Sequence, residues 1–338
     1  MKNQDKETLG FWLRKFLSEQ IVTTRNLSAN TRSCYRDAFR LLLRYASENR
    51  HLQIESMKVS DMTEPFILGF LEDIENRRHC SVRTRNLRLA TICAFARFVS
   101  RHSPEHLEWF RMIREIPLKK FGRKQITYLE VNEMEALLQA PDKNTTQGLQ
   151  DYRILLFMYN TGARAEEVVS LRIKDVSIST SHNTIPLVTI TGKGRKTRQC
   201  PLWKITCSEL TPLIFGRAGD DRLFVNRRGE DMTRFGIFEL VKRHAKEVLK
   251  RYPSARNKRI SPHTIRHTTA SHLLQAGIDI NTIRAWLGHV SIDTTNVYAE
   301  VYMAMKAAAL EKCSPHISQS EYSHWRDDKG LMAYLNGL

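Results

Sequence analysis

A mainly α-helical chain carrying one small antiparallel β-sheet, an α+β arrangement in two domains, is what this sequence predicts. Three observations predict it. The length of 338 residues exceeds what a single hydrophobic core organises. Apolar residues recur at helical spacing over most of the chain. Segments that read as strands occur in one place only, on either side of a Gly192-Lys193-Gly194 turn.

The first third, residues 1–115, reads as a small helical bundle, with Tyr35, Phe39, Leu42 and Ala46 on one apolar stripe and Leu89, Ile92, Ala96 and Val99 on another. A helix beginning near the capping candidates Ser28 and Asn30 sets Arg32, Arg36, Arg40 and Arg44 four apart, along a stripe opposite its apolar face. A second basic helix begins near Ser81 and carries Arg83, Arg85 and Arg88 in its first turns. Either charge run alone reads as a solvated face; two in one small domain make these arginines candidate contacts to a phosphate backbone. Periodicity lapses at Ile116-Pro117-Leu118-Lys119-Lys120-Phe121-Gly122-Arg123-Lys124, and residues 116–127 read as a basic linker. Residues 128–338 form the second domain: helices over 131–140 and 150–159, strands over 185–190 and 198–202, and helices from about Phe235 onward. There is no internal repeat and no low-complexity segment.

Composition narrows the partner class. Lys+Arg 53 against Asp+Glu 36 gives a formal charge of +17, which favours polyanions because each neutralised phosphate releases counterions. Ribosome-associated and membrane-surface proteins share such a balance, so charge alone ranks nucleic acid first without excluding them. The six cysteines have no Cys-x-x-Cys spacing of the kind zinc ribbons use and read as reduced thiols. No stretch approaches the roughly 20 apolar residues of a membrane helix, and the expectation is a cytoplasmic protein without membrane partners.

Four segments of the second domain carry groups suited to chemistry: Thr161-Gly162-Ala163-Arg164-Ala165-Glu166-Glu167, Thr191-Gly192-Lys193-Gly194, His263-Thr264-Ile265-Arg266-His267, and Leu287-Gly288-His289 followed by Tyr298. Each alone is commonplace. A metal reading also exists, since His263 and His267 stand at the i, i+4 spacing of helical zinc ligands. The sequence H-T-I-R-H, however, lacks the general-base glutamate of H-E-x-x-H and sets an arginine between the ligands, so no metal and no cofactor are expected.

In this order and spacing, with His289 nine residues before Tyr298, the segments resemble the catalytic constellation of the tyrosine recombinase (phage integrase) family, which includes Xer-type resolvases and mobile-element integrases. The resemblance covers the chain in outline, but only the second domain carries diagnostic residues. It implies two domains clamping double-stranded DNA, with Arg164, Lys193, His263, Arg266 and His289 surrounding the nucleophile Tyr298, and Glu167 holding the histidine and arginine geometry. Glu166 is the weaker neighbour, and Lys196 is a second choice for the hairpin lysine. The residue types suit strand cleavage. Guanidinium forks bind the non-bridging oxygens of a phosphorane-like transition state, and a phenol needs proton removal in a cationic surround to attack at neutral pH. The implied assembly is a homotetramer on two DNA sites, joined in some systems by other recombinases. The segment after Tyr298, with Trp325, Leu331, Tyr334 and Leu335, would dock on its own domain or on a neighbouring protomer; the sequence leaves both open. Two other functions share these residues: a type IB topoisomerase, disfavoured by the short first domain, and a catalytically quiet DNA-binding subunit, disfavoured by the complete residue set.

Overall fold

The computed structural model describes residues 8–19, 29–122, 126–178, 184–192, 194, 196–288 and 329–337. The chain divides into two compact units, Met1–Lys124 and Gln125–Leu338, and the segment 116–127 read as a linker spans the division.

In the first unit, α1 (Leu9–Lys15), α2 (Ala29–Arg50), α3 (Glu64–Asn76), α4 (Val82–His102) and α5 (Leu107–Glu115) surround one core. The long α4 starts where the Ser81 hydroxyl accepts the Thr84 N–H, and it buries Leu89, Ile92, Phe95, Ala96 and Val99 at helical spacing. Phe16 sits at the centre of an aromatic cluster, meeting Tyr35, Phe39 and Phe95 edge to face at centroid distances of 5.7, 6.1 and 5.5 Å. With the apolar face of α2 spent on this core, Arg32, Arg36, Arg40 and Arg44 are all exposed. The cap expected at Ser28 lies outside the described residues.

The second basic stripe needs correcting. Arg83 is exposed, but Arg85 is only 3% exposed, and its guanidinium donates to the Pro117 carbonyl (3.0 Å) and to the Asn86 side chain (3.1 Å). It fastens the segment after α5 to α4 and is not presented to a ligand. Arg88 is half-buried and donates to the Cys34 carbonyl on α2 (3.0 Å). Spacing puts these arginines on one helix; the direction each faces is set by the neighbour that covers it.

The second unit is built on α6 (Val131–Gln139), α7 (Thr146–Thr161), α8 (Ala165–Ser170), the strands β1 (Val176–Ser177), β2 (Leu187–Thr191) and β3 (Thr197–Pro201), then α9 (Lys204–Ile214), α10 (Arg234–Arg251), α11 (Pro262–Gln275), α12 (Ile280–Leu287) and α13 (Lys329–Asn336). The sheet is antiparallel in the order β1-β2-β3, one strand more than expected, with Val188 opposite Cys200 and Ile190 opposite Arg198. Val188, Ile190 and Cys200 turn inward to the main core. The largely buried α7 runs along α11, and both α7 and α12 end on left-handed glycines, Gly162 (φ 61°) and Gly288 (φ 64°). Helix α9, unexpected from sequence, precedes the helix that begins near Phe235. No helix among the described residues is long and apolar enough to cross a membrane.

Candidate active site

The site is assembled from helix ends. Helix α11 is started by Ser261, whose hydroxyl accepts the Thr264 N–H, with Pro262 in its first turn, so His263 stands at the helix entrance and Arg266 one turn further in. Arg266 is 1% exposed. Its guanidinium donates to the Gly162 carbonyl (2.6 Å) and the Leu287 carbonyl (2.5 Å), at the ends of α7 and α12. Those C-terminal carbonyls are the negative poles of their helices, so backbone dipoles contribute to compensating the buried cation.

Gly162 is required where it stands. At its positive φ a side chain is strained, and a Cβ would lie 2.5 Å from Cδ2 of Leu287, whose carbonyl is the second acceptor of Arg266.

Arg164 caps α8, and Glu167 closes on it twice: Oε2 accepts the Arg164 backbone N–H (2.9 Å) and Oε1 accepts its guanidinium (2.7 Å). Arg164 keeps 39% of its side chain exposed, while Glu167 is 4% exposed. A second arginine reaches Glu167 from β3, with Arg198 Nη2 2.7 Å from Oε2 and only 8% of that side chain exposed. Burial pushes the Glu167 carboxyl up, but the hydrogen bond and charge of Arg198, with the two donors of Arg164, outweigh it and hold the group below the usual carboxylate value. Among the described residues Glu167 hydrogen-bonds Arg164 and Arg198 and not His263, and His289 lies outside them.

Arg164, His263 and Arg266 line one groove of about 490 Å³, together with Glu166, Arg234, Phe235 and Phe238. His263 is exposed at its mouth. The surrounding protein still desolvates the ring, and the charges of Arg266 and Arg164 add to this, so its pKa is lowered and the imidazole is neutral near pH 7. Its ring meets that of His267 edge to face at 4.4 Å. Desolvation first, then His263 and Arg266, lower His267 to about 4. Among the described residues no group of three or more His, Cys, Asp or Glu is placed to hold a metal ion.

The structure therefore brings Arg164, Glu167, His263 and Arg266 together. Lys193, His289 and Tyr298 lie outside the described residues. Lys196 is exposed, and its carbonyl accepts the Gly192 N–H (2.8 Å) to close the turn between β2 and β3. Sequence reasoning missed Arg198, Cys200 and the α10 residues of the groove wall. Arg198 left one signal: it falls on the inward phase of β3, where an arginine is rare unless paired. Cys200, raised by burial, lies on the same inward face.

Comparison with known proteins places this site in context. The profile of the phage integrase family matches residues 127–305, and that of the phage integrase N-terminal SAM-like domain matches residues 14–103. A putative integrase/recombinase, y4rC, of Sinorhizobium fredii is 37% identical over 328 residues, covering 96% of this chain and 97% of the relative. The tyrosine recombinase XerD of Staphylococcus epidermidis is 30% identical over 288 residues, 83% of this chain and 91% of the relative. Among solved structures, XerH site-specific recombinase bound to its difH substrate in a pre-cleavage complex aligns with a TM-score of 0.64 at 20% identity, over 86% of this chain and 81% of that one. The Tn1549 transposon integrase in complex with circular intermediate DNA aligns with a TM-score of 0.68 at 18% identity, over 89% of this chain and 99% of that one. At these identities the likeness to the solved structures is one of fold.

Proposed function

The chain belongs to the phage integrase family of tyrosine recombinases, and from that premise we propose that it cuts and rejoins duplex DNA through a 3′-phosphotyrosine on Tyr298. The observation that carries the assignment of residues is the meeting of Arg164, His263 and Arg266 in one groove, with Arg266 fixed between two helix ends. A guanidinium so held meets a phosphate in one orientation, without reorganisation as charge develops on the non-bridging oxygens.

In this reading the Tyr298 oxygen attacks phosphorus and its proton passes to a neighbouring base, for which the neutral His263 is suited. The bond from phosphorus to the 5′-oxygen breaks, and Lys193 supplies the proton that oxygen takes up. Arg164 and Arg266 bind the non-bridging oxygens, His289 donates a further hydrogen bond, and Glu167 holds Arg164. The phosphotyrosine keeps the energy of the broken diester, so a 5′-hydroxyl from the second site reseals it without a nucleotide cofactor. Strand exchange requires two sites, and a tetramer working in the cytoplasm on two duplexes is the assembly we assign. The transposon and Xer enzymes among the similar proteins support two uses, moving a mobile element and resolving joined replicons, and strand cleavage is common to both.

The nucleophile is tested with a nicked suicide substrate that traps the covalent complex. Tyr298→Phe is expected to bind DNA as the wild type does and to give no adduct, while Tyr302→Phe still gives it. Loss of the adduct in the Tyr302 variant alone would overturn the assignment.

A further inference from the structure

We propose that Arg198 is a positioning residue of the cleavage reaction, the buried cation that sets the Arg164–Glu167 pair in register with the two chain segments that lead into Lys193 and His289. The inference rests on the strand-cleavage reading above. Arg198 sits on β3, seven residues after the turn between β2 and β3 opens at Thr191, and its guanidinium bonds in two directions. Nη2 donates to Glu167 Oε2 at 2.7 Å and Nε donates to the Trp286 carbonyl, near the C-terminal end of α12, at 2.8 Å.

The fit at α12 is close. A Cβ on Gly288 would lie 3.0 Å from Cδ and 3.4 Å from Nη1 of Arg198, so the left-handed glycine that ends the helix also makes room for the arginine. On the other side, a Cβ on Gly192 would lie 3.0 Å from Glu167 Oε1. Three segments converge on a single ion pair: the turn in which Lys193 stands, the cap of α8 that presents Arg164, and the helix end after which the chain runs into His289. No other described side chain bonds both Glu167 and α12. A lysine here would keep the charge, but it could not hold a carboxylate and a carbonyl through two nitrogens of one planar group.

The consequence separates positioning from mere stability. Glu167 is faced by Arg164 from its own helix cap and by Arg198 and Cys200 from β3. Remove Arg198, and burial is opposed by Arg164 alone, so the carboxyl binds a proton more readily and releases its hold on Arg164 as pH falls. Cleavage by Arg198→Met should then fall more steeply towards acid pH than cleavage by the wild type, in which only the base His263 is being protonated, and Glu167→Gln added to that variant should remove the extra fall.

The test is single-turnover formation of the covalent complex on a nicked suicide substrate between pH 5.5 and 9, with DNA affinity and thermal unfolding measured alongside. Arg198→Met is expected to slow adduct formation by about 10²-fold, the cost of displacing a reacting group by about 1 Å, with DNA affinity unchanged. Arg198→Lys should recover part of the rate, and Glu167→Gln/Arg198→Met should keep only the pH dependence of the wild type. Variants that match the wild type in rate and profile, or that lose DNA binding and keep the cleavage rate once bound, overturn the proposal. If Arg198→Met fails to fold, Arg198→Lys decides it by rate: adduct formation slower than the wild type at unchanged DNA affinity supports the proposal, and a wild-type rate overturns it. A wild type that forms no adduct under these conditions overturns the cleavage reading itself, an outcome the variants alone cannot mimic.

Discussion

His267 shows what burial beside the site costs an imidazole. Held at about 4 by desolvation and by the charges of His263 and Arg266, it is neutral in the folded protein and takes up a proton in the unfolded chain near 6.5. The unfolded state thus binds more protons between these values, and folding stability falls as pH drops from about 6.5 towards about 4. His267→Gln is expected to flatten that fall; melting temperatures at pH 7.5, 6 and 5 measure it, and equal slopes in both proteins would reject it. At the same scale the charged partners of the phosphate divide by role. Lys193→Ala should regain cleavage on DNA with a 5′-bridging sulfur, a leaving group that needs no proton, whereas Arg164→Ala and Arg266→Ala should not. A Lys193 variant as slow on sulfur as on oxygen would move the acid to Lys196. Arg164, His263 and Arg266 were legible in the sequence because each stands in a short motif with its own spacing. Arg198 was not, because its partners lie 31 and 88 positions away and no local pattern joins them.

Elements were legible where periodicity was long and obscured where composition worked against it. Helix α9 was missed because Pro212 lies inside it and it buries little beyond Thr206 and Leu210. Strand β1, at two residues, is too short to alternate. Helix α7 begins at Thr146, four residues before the expected start, because Thr145 caps it by accepting the Gly148 N–H (3.0 Å), and a glycine in a first turn looks like a loop. The ends of elements matter more here than their lengths. Gly162→Ala places a Cβ at φ +61° and 2.5 Å from Leu287, disturbing both carbonyls that hold Arg266. The left-handed strain alone costs about 1–2 kcal/mol. Gly277→Ala, at φ +84° with nothing within 4 Å, bears similar strain away from the site. Both variants should melt lower than the wild type, but only Gly162→Ala should lose cleavage, by about 10²-fold. Equal losses would show that the glycine serves the fold and not the arginine.

For the molecule as a whole, the charge of +17 predicts DNA affinity that falls steeply with salt. The share due to each arginine depends on which way it faces. Arg32→Ala and Arg40→Ala, on the exposed stripe of α2, should each lower the slope of log affinity against log salt by about 0.9, one phosphate contact apiece, and leave melting unchanged. Arg85→Ala should do the reverse, lowering the melting temperature through loss of its bond to Pro117 while the slope stays as it was. A changed slope in the Arg85 variant would return that residue to the DNA-facing set. Sequence counts charge and spaces it along a helix, but whether a basic helix faces solvent or a neighbouring segment is decided by packing.

Arg266 is anchored by main-chain oxygens, and that changes what mutation can do to it. A carbonyl is present whatever side chain its residue carries, so neither Leu287 nor the residues around Gly162 must keep a particular functional group for the arginine to stay aimed. The instruction to place this cation is written in backbone conformation, in two helices that end at the right height. A designer moving the site to another scaffold would therefore copy two helix stops and an arginine before copying any polar partner. Chance substitution erodes these two bonds by moving a helix end.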